Sequence, residues 1–510
     1  MLNRKRFFNS ASEQGQLLPT YTSDLVPEDH LARVINEVVD VLDLTPLYQK
    51  YSSEGGKTYH PKPMLKILFY AYAEGIRSSR KISKACRENF VFIYLSAGYK
   101  PDHRTISDFR KNNINIVKQL FKQIVKLCYQ LGMITIGKIS IDGTKIKANA
   151  SNNNVIRKDD LEKELTNIEE QISQMFTEAE SVDKQEDITY GVDKTGEELP
   201  DDLQKTQARK RKIKELLAEL DKQGVDKMNL HEPEARFMKH HGRIELSYNA
   251  QAVTENQVII AYNLNNNEVD KDQLEPLIDE LEETASELLE KDEYPLENVK
   301  AATDAGYNSG KNLKRLNKAK IDAYIPSELS RVQAKERHGE IPPRRFTKDK
   351  FRYHEKGNYY ECPTGKKLLP VGKRTVKLET YTRDEVVYKG QACHQCPYQK
   401  DCTTSKTGYR QVSRFSDYDR LREQMDQKLK TEIGKAMLKY RLKDIEPTFA
   451  QIRQAVFGHS PFLLSGVRKT NGEFGLSCIV HNIKKIRTYL ISTNNNTILA
   501  DIATLKLRPT

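Results

Sequence analysis

The stretch IGKISIDGTKIKANAS, residues 136–151, alternates apolar and polar side chains. That period of two predicts a strand through Ile139 and Ile141 that delivers Asp142 and Gly143 at its end. Before it, residues 28–130 carry apolar positions at helical spacing, as in LARVINEVVDVLDL and PKPMLKILFYAYAEGI, the second with prolines in its first turn. After it come a charged helical stretch, two strand-like runs (IELSYNAQAVTEN and QVIIAYNLN) and an amphipathic helix (DQLEPLIDELEETASELLEK). A strand ending KAATD, a short helix and a strand IDAYIPS follow. Strands and helices in this order predict a mixed α/β core preceded by an all-α domain.

With 510 residues, about three domains are expected at roughly 150 residues each. No stretch approaches the ~20 apolar residues of a membrane span. MLNRKRFFNSASEQGQ has basic residues without an apolar run behind them, so no secretory leader is expected. Seven cysteines are too few for a disulfide scaffold and point to a reducing, cytoplasmic setting.

The formal net charge of +12 conceals an asymmetry. Residues 159–200 hold 14 acids against three bases, a net of −11. The remainder of the chain therefore carries +23, which points to a polyanionic partner. Among the predicted N-terminal helices, Arg77, Arg80, Lys81, Lys84, Arg104, Arg110 and Lys111 suggest a helix-turn-helix that grips DNA. The alternative is a small bundle with an ordinary solvated basic face.

Two aspartates end predicted strands: Asp142 before Gly143, and Asp304 before Ala305 and Gly306. Either alone fits a common turn, but together at the carboxyl ends of core strands they stand where α/β sheets expose their chemistry. Hard divalent cations take carboxylate oxygens, so a third acid is sought on a helix packed against the sheet. In YRLKDIEPTFAQIRQAVFGHS, Glu446 directly precedes Pro447, where a helix could start or kink, and Arg453 lies two turns on along the same face. Asp444 and Glu432 compete for that role. Separately, Cys362, Cys393, Cys396 and Cys402 fall in a loop-rich stretch between strand-like pieces and read either as a structural Zn²⁺ ribbon or knuckle or as unligated thiols in a surface β insertion.

SIDGTKIKANAS, ARFMKHHGRIELSYNAQ, TDAGYNSGKN and IEPTFAQIRQ, in this order, resemble bacterial insertion-sequence transposases of the DDE class. LVPEDHLARVINEVVDVLDL, YHPKPMLKILFYAYAEGIRSSRKI and PDHRTISDFR resemble the helical domain that precedes their catalytic core. The resemblance runs from about residue 15 to 490 and implies an RNase H-like fold: a mixed sheet with flanking helices, interrupted by a charged helical insertion and a Cys-rich insertion. The implied division is 1–135 helical DNA-binding domain, 136–154 first part of the core, 155–235 charged insertion, 236–345 core continued, 346–415 Cys-rich insertion and 416–510 C-terminal helical part. It further implies that Asp142, Asp304 and Glu446 form a catalytic set holding Mg²⁺ or Mn²⁺. Lys145, Tyr307, Arg441 and Arg453 are expected to contact DNA. Related transposases often carry an arginine four residues before the glutamate; here that residue is Leu442, and Arg441 lies one position earlier. The implied activity is cleavage at the ends of the element and joining of the freed 3′-OH to target DNA. The partners are then the terminal inverted repeats, target DNA and a second protomer, because two ends must be held together. A DNA-binding relative without catalysis and a non-transposing nuclease are the alternatives.

Overall fold

The computed structural model of the chain describes residues 21–51, 58–190, 201–240, 242–291, 293–337, 339–342, 345–377 and 382–493. Seven helices open it: α1 (Leu31–Val41), α2 (Thr45–Tyr48), α3 (Pro61–Ala73), α4 (Ser79–Glu88), α5 (Phe90–Leu95), α6 (His103–Asn112) and α7 (Val117–Gln130). Their starts follow from local chemistry. Asp102 accepts the Arg104 and Thr105 amides to begin α6, and Pro61 opens α3, where an amide would have no helical partner. Nearly every residue from Met64 to Ala73 is buried, so α3 lies inside the helical cluster rather than on its surface.

The central sheet begins with β1 (Lys138–Lys147). Next, a short ribbon of β2 (Val155–Arg157) and β3 (Lys227–Asn229) closes the base of a helical hairpin, α8 (Lys158–Tyr190) and α9 (Asp201–Gln223). This hairpin packs on a small apolar cluster of its own around Leu161, Ile168, Ile213 and Leu220. The Gly/Pro/Asp region expected to break it lies largely outside the described residues. The sheet resumes with β4 (Arg236–His240), β5 (Arg243–Glu255) and β6 (Val258–Asn265). Asn256 and Gln257 turn β5 into β6 with both φ angles positive, as a two-residue hairpin requires. Helix α10 (Leu274–Leu289), β7 (Lys300–Thr303), α11 (Gly310–Lys318), β8 (Asp322–Tyr324) and α12 (Glu328–Arg337) complete this part. β1 pairs antiparallel with β5 and parallel with β7, which pairs parallel with β8; β4 and β6 also pair with β5.

The stretch 346–415, irregular by its sequence pattern, is more ordered than expected. It contains a five-stranded antiparallel sheet, β9 (Arg352–His354), β10 (Tyr359–Glu361), β11 (Lys367–Lys377), β12 (Thr382–Gly390) and β13 (Gln411–Arg414), with a short α13 (Gln399–Cys402). Pro370 and Gly372 mark a register shift in its longest pairing, which hides the strand pattern in the sequence. The chain then forms α14 (Ser416–Lys428), α15 (Glu432–Gln451) and α16 (Val467–Ser492). Helix α16 packs against α1, α3, α7 and β6, and one apolar cluster runs from Val26 to Leu490. The N-terminal helices therefore share a core with the sheet. Among the described residues, no helix is long and apolar enough to cross a membrane.

His481 lies inside this shared core, with Nε2 2.7 Å from the Gln257 carbonyl oxygen. Burial pushes its pKa down to about 4, helped by Lys485 and Lys484 and opposed by that hydrogen bond. A depressed histidine supplies stability above its unfolded pKa near 6.5, and that stability is lost as pH falls toward 4. Urea unfolding between pH 7 and 4.5 should show this loss, on the order of 3 kcal/mol, in the native chain and not in His481→Gln. The same pH dependence in both proteins would remove His481 as its source.

Candidate active site

The parallel register of β1 and β7 sets Ile141 beside Thr303. Asp142, which lies within β1 and not at its end as expected, and Asp304, just past the end of β7, are therefore set side by side where β7 ends. Asp304 accepts the Gly306 amide at 2.7 Å and so starts the turn Ala305–Tyr307. Asp142 accepts the Gly143 amide at 2.9 Å and Arg441 Nη2 at 2.6 Å. Burial raises the Asp142 pKa to about 6; Asp304 and Asp270 push the same way, while Arg441 and the Gly143 amide oppose.

A fourth acid, Asp270, escaped the sequence reading. Its Oδ1 accepts Lys145 Nζ at 2.9 Å, Asn249 Nδ2 at 2.8 Å and Gln251 Nε2 at 2.8 Å. Gln251 also accepts the Tyr307 hydroxyl. Gly143 faces this network so closely that a Cβ there would collide with the Gln251 amide. The clue available in the sequence was Asn249 and Gln251 interleaved with the apolar residues Tyr248, Ala250 and Ala252. Both are fully buried here, and buried amides need partners.

Helix α15 lies across β1, β5 and β7 and is pinned at two positions four residues apart. The Tyr440 hydroxyl donates to the Lys138 carbonyl at 3.0 Å and accepts the Asn256 amide at 3.0 Å. Asp444 accepts Thr254 Oγ1 at 2.7 Å and the Gln257 amide. Asp444 is thus a buried tie between helix and sheet, and Glu432 pairs with Lys435 in the helix's first turn. Glu446 remains: its side chain is 52% exposed, 3.5 Å from Arg441 Nη1. The helix does not start at Pro447 but runs through it, from Glu432 to Gln451. A proline there leaves the Lys443 carbonyl without its helical donor, and Gln257 Nε2 supplies one at 3.1 Å.

Arg441 consequently touches both Asp142 and Glu446. Three carboxylates around this point match in kind what a hard divalent cation takes. Among the described residues, however, no three His, Cys, Asp or Glu side chains stand at metal-holding spacing.

The residues expected to contact DNA divide. Arg80, Lys81, Lys84, Arg104 and Lys111 are exposed on α4 and α6, which pack together. Arg453 lines a cleft with Lys145, Lys147, Arg243 and His459. Arg77, Arg110 and Tyr307 are instead buried, with their polar groups on partners inside the protein. Arg77 binds Glu473 and the Pro461 and Phe457 carbonyls, while Arg110 binds the Arg77 carbonyl at 2.8 Å. Their partners lie on distant segments, so a count of basic residues could not reveal them.

Cys362, Cys393, Cys396 and Cys402 line one cavity of about 30 Å³. All four are free thiols; the Lys366 amide donates to Cys362 Sγ at 3.3 Å and the Arg410 amide to Cys393 Sγ at 3.5 Å. Cys86, Cys128 and Cys478 are buried, as expected of core residues.

The family described as Transposase domain (DUF772) matches residues 20–112, and the family described as Transposase DDE domain matches residues 361–487. Glu446 falls inside the second match; Asp142 and Asp304 lie between the two. No curated protein and no solved structure gave a match. The two matched segments, in this order on one chain, support placing it among the insertion-sequence transposases of the DDE class.

Proposed function

We propose that the protein binds the ends of an insertion sequence, cleaves their phosphodiesters and joins the 3′-OH ends to target DNA, with Asp142, Asp304 and Glu446 as ligands for Mg²⁺ or Mn²⁺. The observation that supports this reading is the shared neighbourhood of the acids: strand register sets Asp142 beside Asp304, and Arg441 contacts both Asp142 and Glu446. The topology supports an RNase H-like core. An antiparallel run of β1, β5 and β6 is extended on the other side of β1 by parallel β7 and β8, with Asp304 after the fourth of these strands in chain order.

A phosphodiester is a poor electrophile shielded by its own charge, and a divalent cation bound here would supply Lewis acidity and an activated oxygen nucleophile. The protein's own contribution is to hold three acids on rigid elements: Asp142 within β1, Asp304 just past β7 and Glu446 on a helix tied to the sheet by Tyr440 and Asp444. Exposed Arg80, Lys81, Lys84, Arg104 and Lys111 offer cations for the DNA backbone, and Arg453 offers another in the cleft it lines with Lys145, Lys147 and Arg243. Two protomers would hold the two ends.

The test is incubation of the purified protein and Mg²⁺ with DNA carrying the inverted repeats that flank its gene. Nicked ends followed by joined products are expected. Binding without cleavage would leave a DNA-binding relative, and cleavage without joining a nuclease.

A further inference from the structure

We propose that Arg441 is a resident counter-cation: it holds Asp142 and Glu446 together in the metal-free protein and must release Glu446 before a divalent ion can enter. The proposal rests on the reading of those carboxylates as ligands. Asp142 is only 19% exposed and shares its surroundings with Asp304 and Asp270, so a cation has to stand beside it. Lys145 is committed to Asp270. Arg441 meets the need, with its side chain 13% exposed.

The two ends of its grip differ. Nη2 lies 2.6 Å from the buried Asp142, whereas Nη1 lies 3.5 Å from the half-exposed Glu446. Nε is buried and has no hydrogen-bond partner. The guanidinium is therefore incompletely satisfied where it rests, and the Glu446 contact is the one to break first. Release needs only side-chain rotation, because Tyr440 and Asp444 fix the helix on the sheet. The guanidinium between the acids also accounts for a carboxylate set that matches a metal in kind yet is not gathered at ligand spacing.

The experiment titrates Mn²⁺ into the full-length, DNA-free protein and reads free Mn²⁺ by electron paramagnetic resonance. Arg441→Met should bind Mn²⁺ on the order of tenfold more tightly than the native chain, since a competing cation is gone. Asp142→Asn added to Arg441→Met should remove that gain. In thermal melts, Arg441→Met should lose stability without Mn²⁺ and recover it with Mn²⁺. Arg441→Gln, which keeps hydrogen-bonding capacity, provides the same comparison should Arg441→Met not fold. Equal or weaker Mn²⁺ binding by the Arg441 variant overturns the proposal while leaving the ligands in place. So does a gain that survives Asp142→Asn. No Mn²⁺ binding by any of the proteins overturns the metal reading itself, and the role of Arg441 with it.

Discussion

Asp142→Asn is expected to reduce DNA cleavage by on the order of a thousandfold or more while leaving DNA affinity within a few-fold of the native chain. Asparagine nearly matches aspartate in shape and keeps an oxygen for the Gly143 amide. What disappears is the negative charge that would bind a cation beside Asp304. Because burial raises the pKa of Asp142 to about 6, the group favours the folded state in its protonated form. That contribution is complete below the unfolded value near 3.9 and is lost as pH rises through 6. At pH 8 the native chain has lost it and the neutral asparagine carries no such penalty. Asparagine also leaves Arg441 with only Glu446 as a charged partner, so the two effects oppose and a urea melt of the variant accompanies the assay. Parallel assays of nicking on labelled end DNA and of binding by anisotropy decide the matter. Cleavage within tenfold of native would remove Asp142 from the set.

Asp304 was legible because its strand ends just before it and Asp142 because it follows the apolar run through Ile139 and Ile141, although β1 continues to Lys147; the parallel register of β1 and β7 sets the two side by side. Glu446 was harder. Helical periodicity could not choose among Glu432, Asp444 and Glu446, and the family resemblance made the choice. The structure supplies the physical distinction, since Asp444 is buried against Thr254 and Gln257, on a hairpin 190 and 187 residues earlier. Asp270 stayed hidden for the same reason: its partners Lys145, Asn249 and Gln251 come from two strands, and no local pattern joins them. The charged hairpin was visible because its apolar residues recur at helical spacing and need only each other. The second sheet was legible only as strand-like pieces around the cysteines: its longest pairing carries a register shift, and its core is only a few residues such as Phe351, Tyr360 and Tyr388. Arg77 and Arg110 show the limit of charge arithmetic, which assumes that every basic side chain faces solvent.

Glu473→Ala should destabilise the protein by about 3–5 kcal/mol, a larger loss than from most single substitutions. Glu473 is fully buried in α16 and gathers groups from three separate parts of the chain. Its oxygens accept the Leu463 amide at 2.9 Å and the Leu464 amide at 3.0 Å, and receive Arg77 Nη1 at 3.3 Å and the Tyr72 hydroxyl at 3.4 Å. Tyr72 and Arg77 belong to the segment matched by one transposase family, and Glu473 to the segment matched by the other. The cluster therefore ties the DNA-binding candidates on α4 to the helix that backs the sheet. Alanine leaves a buried guanidinium and two amides without their acceptor, and an unpaired buried charge dominates that cost. Arg77→Met should cost less: the methionine stem can keep packing against Phe457, and Glu473 retains both backbone donors. Glu473→Gln should fall between native and alanine, because one oxygen still accepts. Combining Glu473→Ala with Arg77→Met should recover part of the alanine loss, since no orphaned charge remains. Urea denaturation of the full chain measures all four proteins. A Glu473→Ala loss below about 1 kcal/mol, or strict additivity in the double variant, would mean that this cluster does not hold the two segments together.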